Sequence, residues 1–347
     1  MKTMSSVAAV ASALLLLIGA ATPAGAWDRG RAETFATLPP GSAGPEGLTV
    51  GSDGNVYVAT FGFDSHGEVS GPGQLFVFGQ DGRLVRQVGV AGSTSHLLGL
   101  AFHPTSGTLL VIDFGGARVL DVDPETGASS VFMTMTGNAG PNGLTFDHDG
   151  NVYVSDSNQG IIWKAGPKGG AGTAWLSDPL LATTGFPPFG ANGLQFNNAG
   201  DTLFVANTGN DTVVKVPVSN GNPGTPAVFV SSINGADGLI IDHDDNIWVA
   251  ANQADEIVVL DPSGKVIAKL GDFNGVGEDG APRGLLVPAS PAFGGEFLFV
   301  TNLALDFRVL ELPQAVDSQW AGMVTLYTVA KIRAQIPPLP GTGDDTQ

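Results

Sequence analysis

The sequence predicts an all-β chain, a six-bladed β-propeller of four-stranded blades whose ring is closed by a terminal strand. Three observations lead there. The 347 residues are 43% hydrophobic, ample for a large core, yet 50 are Gly and 23 are Pro, too much turn chemistry for a helical protein. A Gly-Leu pair followed by alternating apolar residues recurs at Gly47-Leu48, Gly99-Leu100, Gly143-Leu144, Gly193-Leu194, Gly238-Leu239 and Gly284-Leu285, at spacings of 52, 44, 50, 45 and 46 residues. Each unit carries several short apolar runs, and four strands in roughly 40–50 residues is the period of a propeller blade.

The elements follow in chain order. Lys2 precedes an apolar run, Val7 to Ala21, that ends in Ala24-Gly25-Ala26. The run is shorter than the ~20 residues a spanning helix requires, and the small-x-small ending suits a signal peptidase, so residues 1–26 read as an export signal and the chain as secreted, extracellular or periplasmic. There is no cysteine, so no disulfide supports an exported fold and the core must do so alone. Without Lys2 the mature part holds 14 Lys and Arg against 33 Asp and Glu, a formal charge of −19. Such a surface repels nucleic acid and anionic membranes and favours cations.

Segment 33–38, ETFATL, resembles the fourth strand of other units although it precedes the first, and is expected to complete the sixth blade. MVTLYTVAKI, residues 323–332, is the rival for that place. In each unit a polar turn comes next (SDGN, PTSG, DHDG, NNAG, DHDD), then a β-rich run: VYVAT, LLVID, VYVSD, LFVAN, IWVAA, LFVTN. A third run (QLFVF, ARVLDV, TVVKV, EIVVL) and a fourth (SSVFMTM, GTAWLSD, PAVFVSS) follow. The propeller is thereby assigned to residues 27–332, with repeats starting near 46, 98, 142, 192, 237 and 283. Residues 333–347, ending PPLPGTGDDTQ, read as a disordered tail.

The start of each first strand faces the axis of a propeller. The residues just before the glycines are Glu46, Leu98, Asn142, Asn192, Asp237 and Arg283, so side chains diverge within a preserved frame. Two carboxylates and two carboxamides without His or Cys make an oxygen-only site suited to Ca²⁺ or another hard divalent cation, with positions left for water and substrate. Zinc would want nitrogen or sulfur. The charges of Glu46 and Asp237 together offset a dication. The alternative is plain turn chemistry, because Asn-Gly and Asp-Gly are common turn dipeptides and solvent can satisfy a polar ring. Glu46, which offers no turn advantage, weighs for the metal.

The constellation of Glu46 in PEGL, Asn142 in PNGL, Asn192 in ANGL and Asp237 in ADGL resembles the gluconolactonase and senescence marker protein family, and more distantly diisopropyl fluorophosphatase and the paraoxonases. The resemblance spans roughly residues 40–312 and implies a six-bladed calcium-dependent hydrolase in which those four residues hold the ion. It further implies that Asp237 is the general base or nucleophile. Leu98 occupies the slot where paraoxonases carry a histidine, so their histidine relay is not carried over, and His96 reads as a loop residue. TVGSDG lacks the tryptophan that follows the glutamate in many relatives, which leaves the substrate open.

Arg283 and Leu98 are the substrate-facing candidates on the ring, with Arg283 able to orient an anion or form a salt bridge. Long loops from residues 61, 177 and 271 should wall the open face, with Phe186 and Phe189 as an apolar wall and His66 near the metal or packed in its loop. The expected function is a secreted, monomeric Ca²⁺-dependent hydrolase of a small-molecule lactone or related ester. The alternative is a non-enzymatic NHL-like binding module for a carbohydrate, peptide or protein, and lyase or condensing chemistry of the strictosidine synthase kind is a weaker third.

Overall fold

The computed structural model describes residues 29–312 and 318–336. The expected export signal, and the tail from residue 337, lie outside the described residues. Among those described, the chain is built of β-strands, with two short helical turns at Phe307–Leu310 and Ser318–Ala321.

Six antiparallel strand groups follow one another. Their first strands are Pro45–Val50, Leu97–Phe102, Pro141–Phe146, Ala191–Phe196, Ala236–Ile241 and Pro288–Gly294. Each packs beside the next, and Pro288–Gly294 packs back against Pro45–Val50, so the first strands form a closed circle. The second strands are almost wholly buried, and Val56–Thr60, Leu109–Asp113 and Ile247–Ala251 are buried at every position. They are apolar on both faces because both faces are covered by neighbouring sheets. Tyr57, Leu75 and Val77 of the first group meet Leu97, Leu109 and Val111 of the second in one cluster, and Trp248 and Ile257 of the fifth meet Leu298 and Ala330 of the sixth in another. The core is thus distributed between sheets. The polar turns add a repeated tie to it: Asp53 accepts from the Tyr57 hydroxyl at 2.9 Å, Asp147 from Tyr153 at 3.0 Å, and Asp242 from the Trp248 indole at 2.9 Å.

The terminal segments turn out not to compete. One sheet runs in the order Glu33–Thr37, Thr328–Arg333, Phe297–Asn302, Pro288–Gly294. The N-terminal segment closes it at the outer edge, as expected, and the C-terminal segment is its third strand, extending one residue past the anticipated boundary at 332. The groups are not all separate four-stranded sheets. Outer strands Ser129–Thr134 and Gly169–Ser177 pair in parallel through Met133 with Gly170 and Thr134 with Ala171, fusing the second and third groups into eight strands. The fourth group carries an additional short strand at Asn222–Pro223.

The sixth unit departs from the expected register. Gly284-Leu285 does not begin its first strand: Gly284 sits at φ +84° in a hairpin in which Pro282–Gly284 pairs with Phe273–Val276. The strand that pairs with Phe297–Asn302 is PASPAFG, with Pro288 opposite Asn302 and Pro291 opposite Val300. This matches Pro45 opposite Thr60 and Leu48 opposite Val58 in the first group.

Candidate functional site

All six first strands share one irregularity, a register break between their first and fourth residues. A bulge re-aims the side chain it carries, and here it does so at the second residue of each strand: Glu46, Leu98, Asn142, Asn192, Asp237 and Ala289. The glycine after each of the first five makes the circle possible. A Cβ on Gly99 would stand 2.7 Å from the Asn142 carbonyl, one on Gly143 2.8 Å from that of Asn192, and one on Gly193 2.7 Å from that of Asp237. Gly47 and Gly238 abut the carbonyls of Leu98 and Ala289 more closely still. The Gly of the repeat is therefore the contact point of neighbouring groups. Ser290 takes its place in the sixth group, where the Thr301 hydroxyl donates to the Glu46 carbonyl at 2.8 Å and ties last to first.

Glu46, Asn142, Asn192 and Asp237 are each 5–6% exposed and line one cavity, together with Leu98. Its free space, about 30 Å³, suits one or two water-sized occupants. Asn252 Nδ2 donates to Asp237 Oδ2 at 2.8 Å, Asn192 Nδ2 to the Thr208 hydroxyl at 2.9 Å, and Thr208 to the Ala236 carbonyl at 2.9 Å. Glu46 Oε2 and Asp237 Oδ1 are buried with no hydrogen-bond partner among the described residues. Burial, and then the Asp237 charge beside it, hold the Glu46 carboxyl well above the usual carboxylate range. Burial likewise raises Asp237, against the lowering effect of the Asn252 bond and of the neighbouring Asn192 amide.

Unpartnered carboxylate oxygens so deeply buried call for a proton or a cation. Four oxygen-bearing side chains, two of them acids, fit a hard divalent ion such as Ca²⁺. Another acidic grouping, Asp242, His243 and Asp244, lies in a surface turn where Asp242 already holds Asn246 and Trp248.

Arg283 is not on this circle. It belongs to the displaced hairpin, is half exposed, and pairs with Asp279 at 2.9 Å; Ala289 holds the sixth position instead. His66 is exposed, with its backbone N–H bonded to Asp64. His96 stacks on Phe63 with ring centroids 5.0 Å apart and lies 3.4 Å from Glu68, outside the cavity lining, and burial keeps its pKa below the ordinary histidine value. Phe189 lines the cavity; Phe186 lies outside that lining, partly exposed, and packs on Phe307, which does line it.

Sequence reasoning missed a second tier, the residue that follows each second strand. Phe61, Phe114, Thr208, Asn252 and Leu303 from that tier all line the cavity. The signal was present, because these positions diverge within a constant frame just as the residues before glycine do.

Comparison with known proteins gives two partial matches to family models. Residues 187–302, which include Asn192 and Asp237, match the model of the SMP-30/gluconolactonase/LRE-like region. Residues 32–61 match that of the strictosidine synthase-like N-terminal segment. No curated protein matches the chain in sequence at a significant level. Among solved structures, a calcium-binding regucalcin from Agrobacterium tumefaciens is 18% identical, covering 88% of this chain and 97% of its own, with a TM-score of 0.60. A gluconolactonase from Xanthomonas campestris is 15% identical over 81% of this chain and 96% of its own, TM-score 0.59. A luciferin-regenerating enzyme is 15% identical over 86% and 94%, TM-score 0.60. At such identities the likeness is one of fold.

Proposed function

With the SMP-30/gluconolactonase/LRE-like region as premise, we propose that this chain is an exported Ca²⁺-dependent hydrolase of a lactone or related ester. We read its six strand groups as propeller blades. The observation that carries the proposal is the pair of buried, unpartnered carboxylate oxygens, Glu46 Oε2 and Asp237 Oδ1, in one cavity with Asn142 and Asn192. Those four residues would hold the ion. Once bound, Ca²⁺ supplies Lewis acidity toward the substrate carbonyl and stabilises negative charge that develops on it.

The chain's own groups do the rest. Asp237, whose Oδ2 is engaged by Asn252, accepts the proton of the attacking water as the water oxygen bonds to the acyl carbon. The acyl C–O bond breaks, and the same proton is returned to the departing alcohol oxygen. Glu46 keeps the site's negative charge beside that exchange. The Thr208 bond orients the Asn192 amide. The apolar residues over the cavity limit bulk water, which strengthens every charge interaction beneath them.

The test is made on protein beginning at residue 27. Calcium content and melting temperature are measured with and without chelator, since a bound ion raises stability by mass action, and hydrolysis is assayed on a lactone panel. Stoichiometric calcium, with turnover lost on chelation and in Glu46→Gln, is the expected result. Full hydrolysis after chelation overturns the metal's role. Absence of turnover on every lactone and ester, with calcium still bound, points to a non-enzymatic binding module.

A further inference from the structure

The circle of first strands encloses a second space. Behind the cavity, toward the ends of those strands, runs a passage of about 300 Å³, against about 30 Å³ in the cavity itself, bordered by the strands from their third residues onward. Gly99, Gly143, Gly193 and Gly238, each next in sequence to a residue of the cavity wall, border the passage, so the two spaces lie end to end along the same strands. Thr49, Thr145 and Gln195 give it neutral hydroxyls and an amide, and Gln195 Oε1 accepts from the Ile241 N–H at 3.0 Å. No charged side chain among the described residues lines it.

The passage leads to the turns that join first to second strands, residues 51–55, 103–108, 147–151, 197–201, 242–246 and 295–296. Together they hold eight Asp or Glu and no Lys or Arg. Lys164 and Arg333, from outer strands, pair with Asp147 and Glu296, and among the described residues no Lys or Arg pairs with the other six. The opposite side of the cavity is apolar, covered by Phe61, Phe114, Phe189, Leu303, Leu305 and Phe307. A dication crossing that cover would shed its water with nothing to replace it. Acids around a mouth concentrate cations, and a lining of neutral oxygens lets an ion pass without trapping it.

We propose that this axial passage is the route by which the divalent cation reaches and leaves the site, drawn in by the acidic turns at the far mouth and delivered to Glu46 Oε2 and Asp237 Oδ1 at the inner end. Ion exchange then needs no movement of the apolar cover. The proposal rests on the calcium reading above and adds the path by which the site is loaded.

The experiment follows calcium association by stopped flow and calcium release into a fluorescent chelator. Ala101 stands in the passage wall, and Ala101→Trp places a side chain across it. One barrier is raised for both directions, so association and release should slow by the same factor, roughly tenfold or more, with Kd unchanged. At the far mouth, Asp149→Lys with Asp244→Lys should slow association about tenfold at low ionic strength and far less at high salt. The same charge change on the cavity's face, Glu278→Lys with Glu311→Lys, should slow it much less. All four of those side chains are exposed, so the charge variants decide the matter if Ala101→Trp fails to fold. Rates that stay unchanged or change unequally in Ala101→Trp, or charge pairs that slow association alike, overturn the inference and, with calcium still bound, leave the metal reading standing. Protein that binds no calcium at equilibrium overturns both.

Discussion

Asn252 donates from Nδ2 to Oδ2 of Asp237 at 2.8 Å, and this bond decides which oxygen of the aspartate is left open. Oδ1 remains, buried and unpartnered. In the proposed calcium site Asn252 would stand one step behind a ligand, and partners of this kind orient the ligand and tune its basicity.

Replacing Asn252 by Ala should therefore weaken calcium binding roughly 10- to 100-fold without removing a ligand. Calorimetric titration with calcium is the measurement. An unchanged affinity would show that Asp237 is oriented by other groups.

A second prediction concerns pH. In the metal-free protein the Asp237 carboxyl is pushed up to about 7, mainly by burial, and Glu46 is raised as well. Raised carboxyls keep protons in the fold that the unfolded chain has already released, so stability is greatest below the ordinary carboxylate pKa of about 4 and falls as pH rises toward and through about 7. Chemical denaturation in chelator from pH 4.5 to 8 should show this decline, and saturating calcium or Asp237→Asn should lessen it. A profile in chelator that is flat across that range would contradict the burial of the pair.

Gly47→Ala should destabilise the fold by about 1–3 kcal/mol or more, the usual range for overpacking. Its Cβ would run into the Leu98 carbonyl, which is backbone and cannot swing aside. Denaturant midpoints read the effect. A neutral result would mean that the first and second groups can separate at little cost.

Arg283→Ala should leave calcium affinity, turnover and melting unchanged. Its partner Asp279 is a surface residue, and exposed pairs contribute little. A large fall in kcat/KM would return Arg283 to the site.

The frame of the site could be read from the chain because the repeat is local. Gly-Leu followed by alternation fixes where a first strand begins, and a change of residue type inside that constant frame exposed Glu46, Asn142, Asn192 and Asp237. The same logic failed in the sixth unit. There Arg283-Gly284-Leu285 copies the local pattern, while the strand that pairs with Phe297–Asn302 is PASPAFG, which lacks it. Nothing near Pro288 in sequence announces the pairing, since register is a property of two strands.

What the sequence determined by itself was the β architecture, its repeat, and four oxygen donors at equivalent positions, because periodicity and turn chemistry act between residues close along the chain. Tertiary structure alone decided that Ala289 completes the circle, that both terminal segments share one sheet, and that Phe61, Phe114 and Leu303 face Thr208 and Asn252 across the cavity. Those relationships join residues as much as 255 positions apart, as in the bond from Thr301 to Glu46, and only closure of the ring brings such groups within reach.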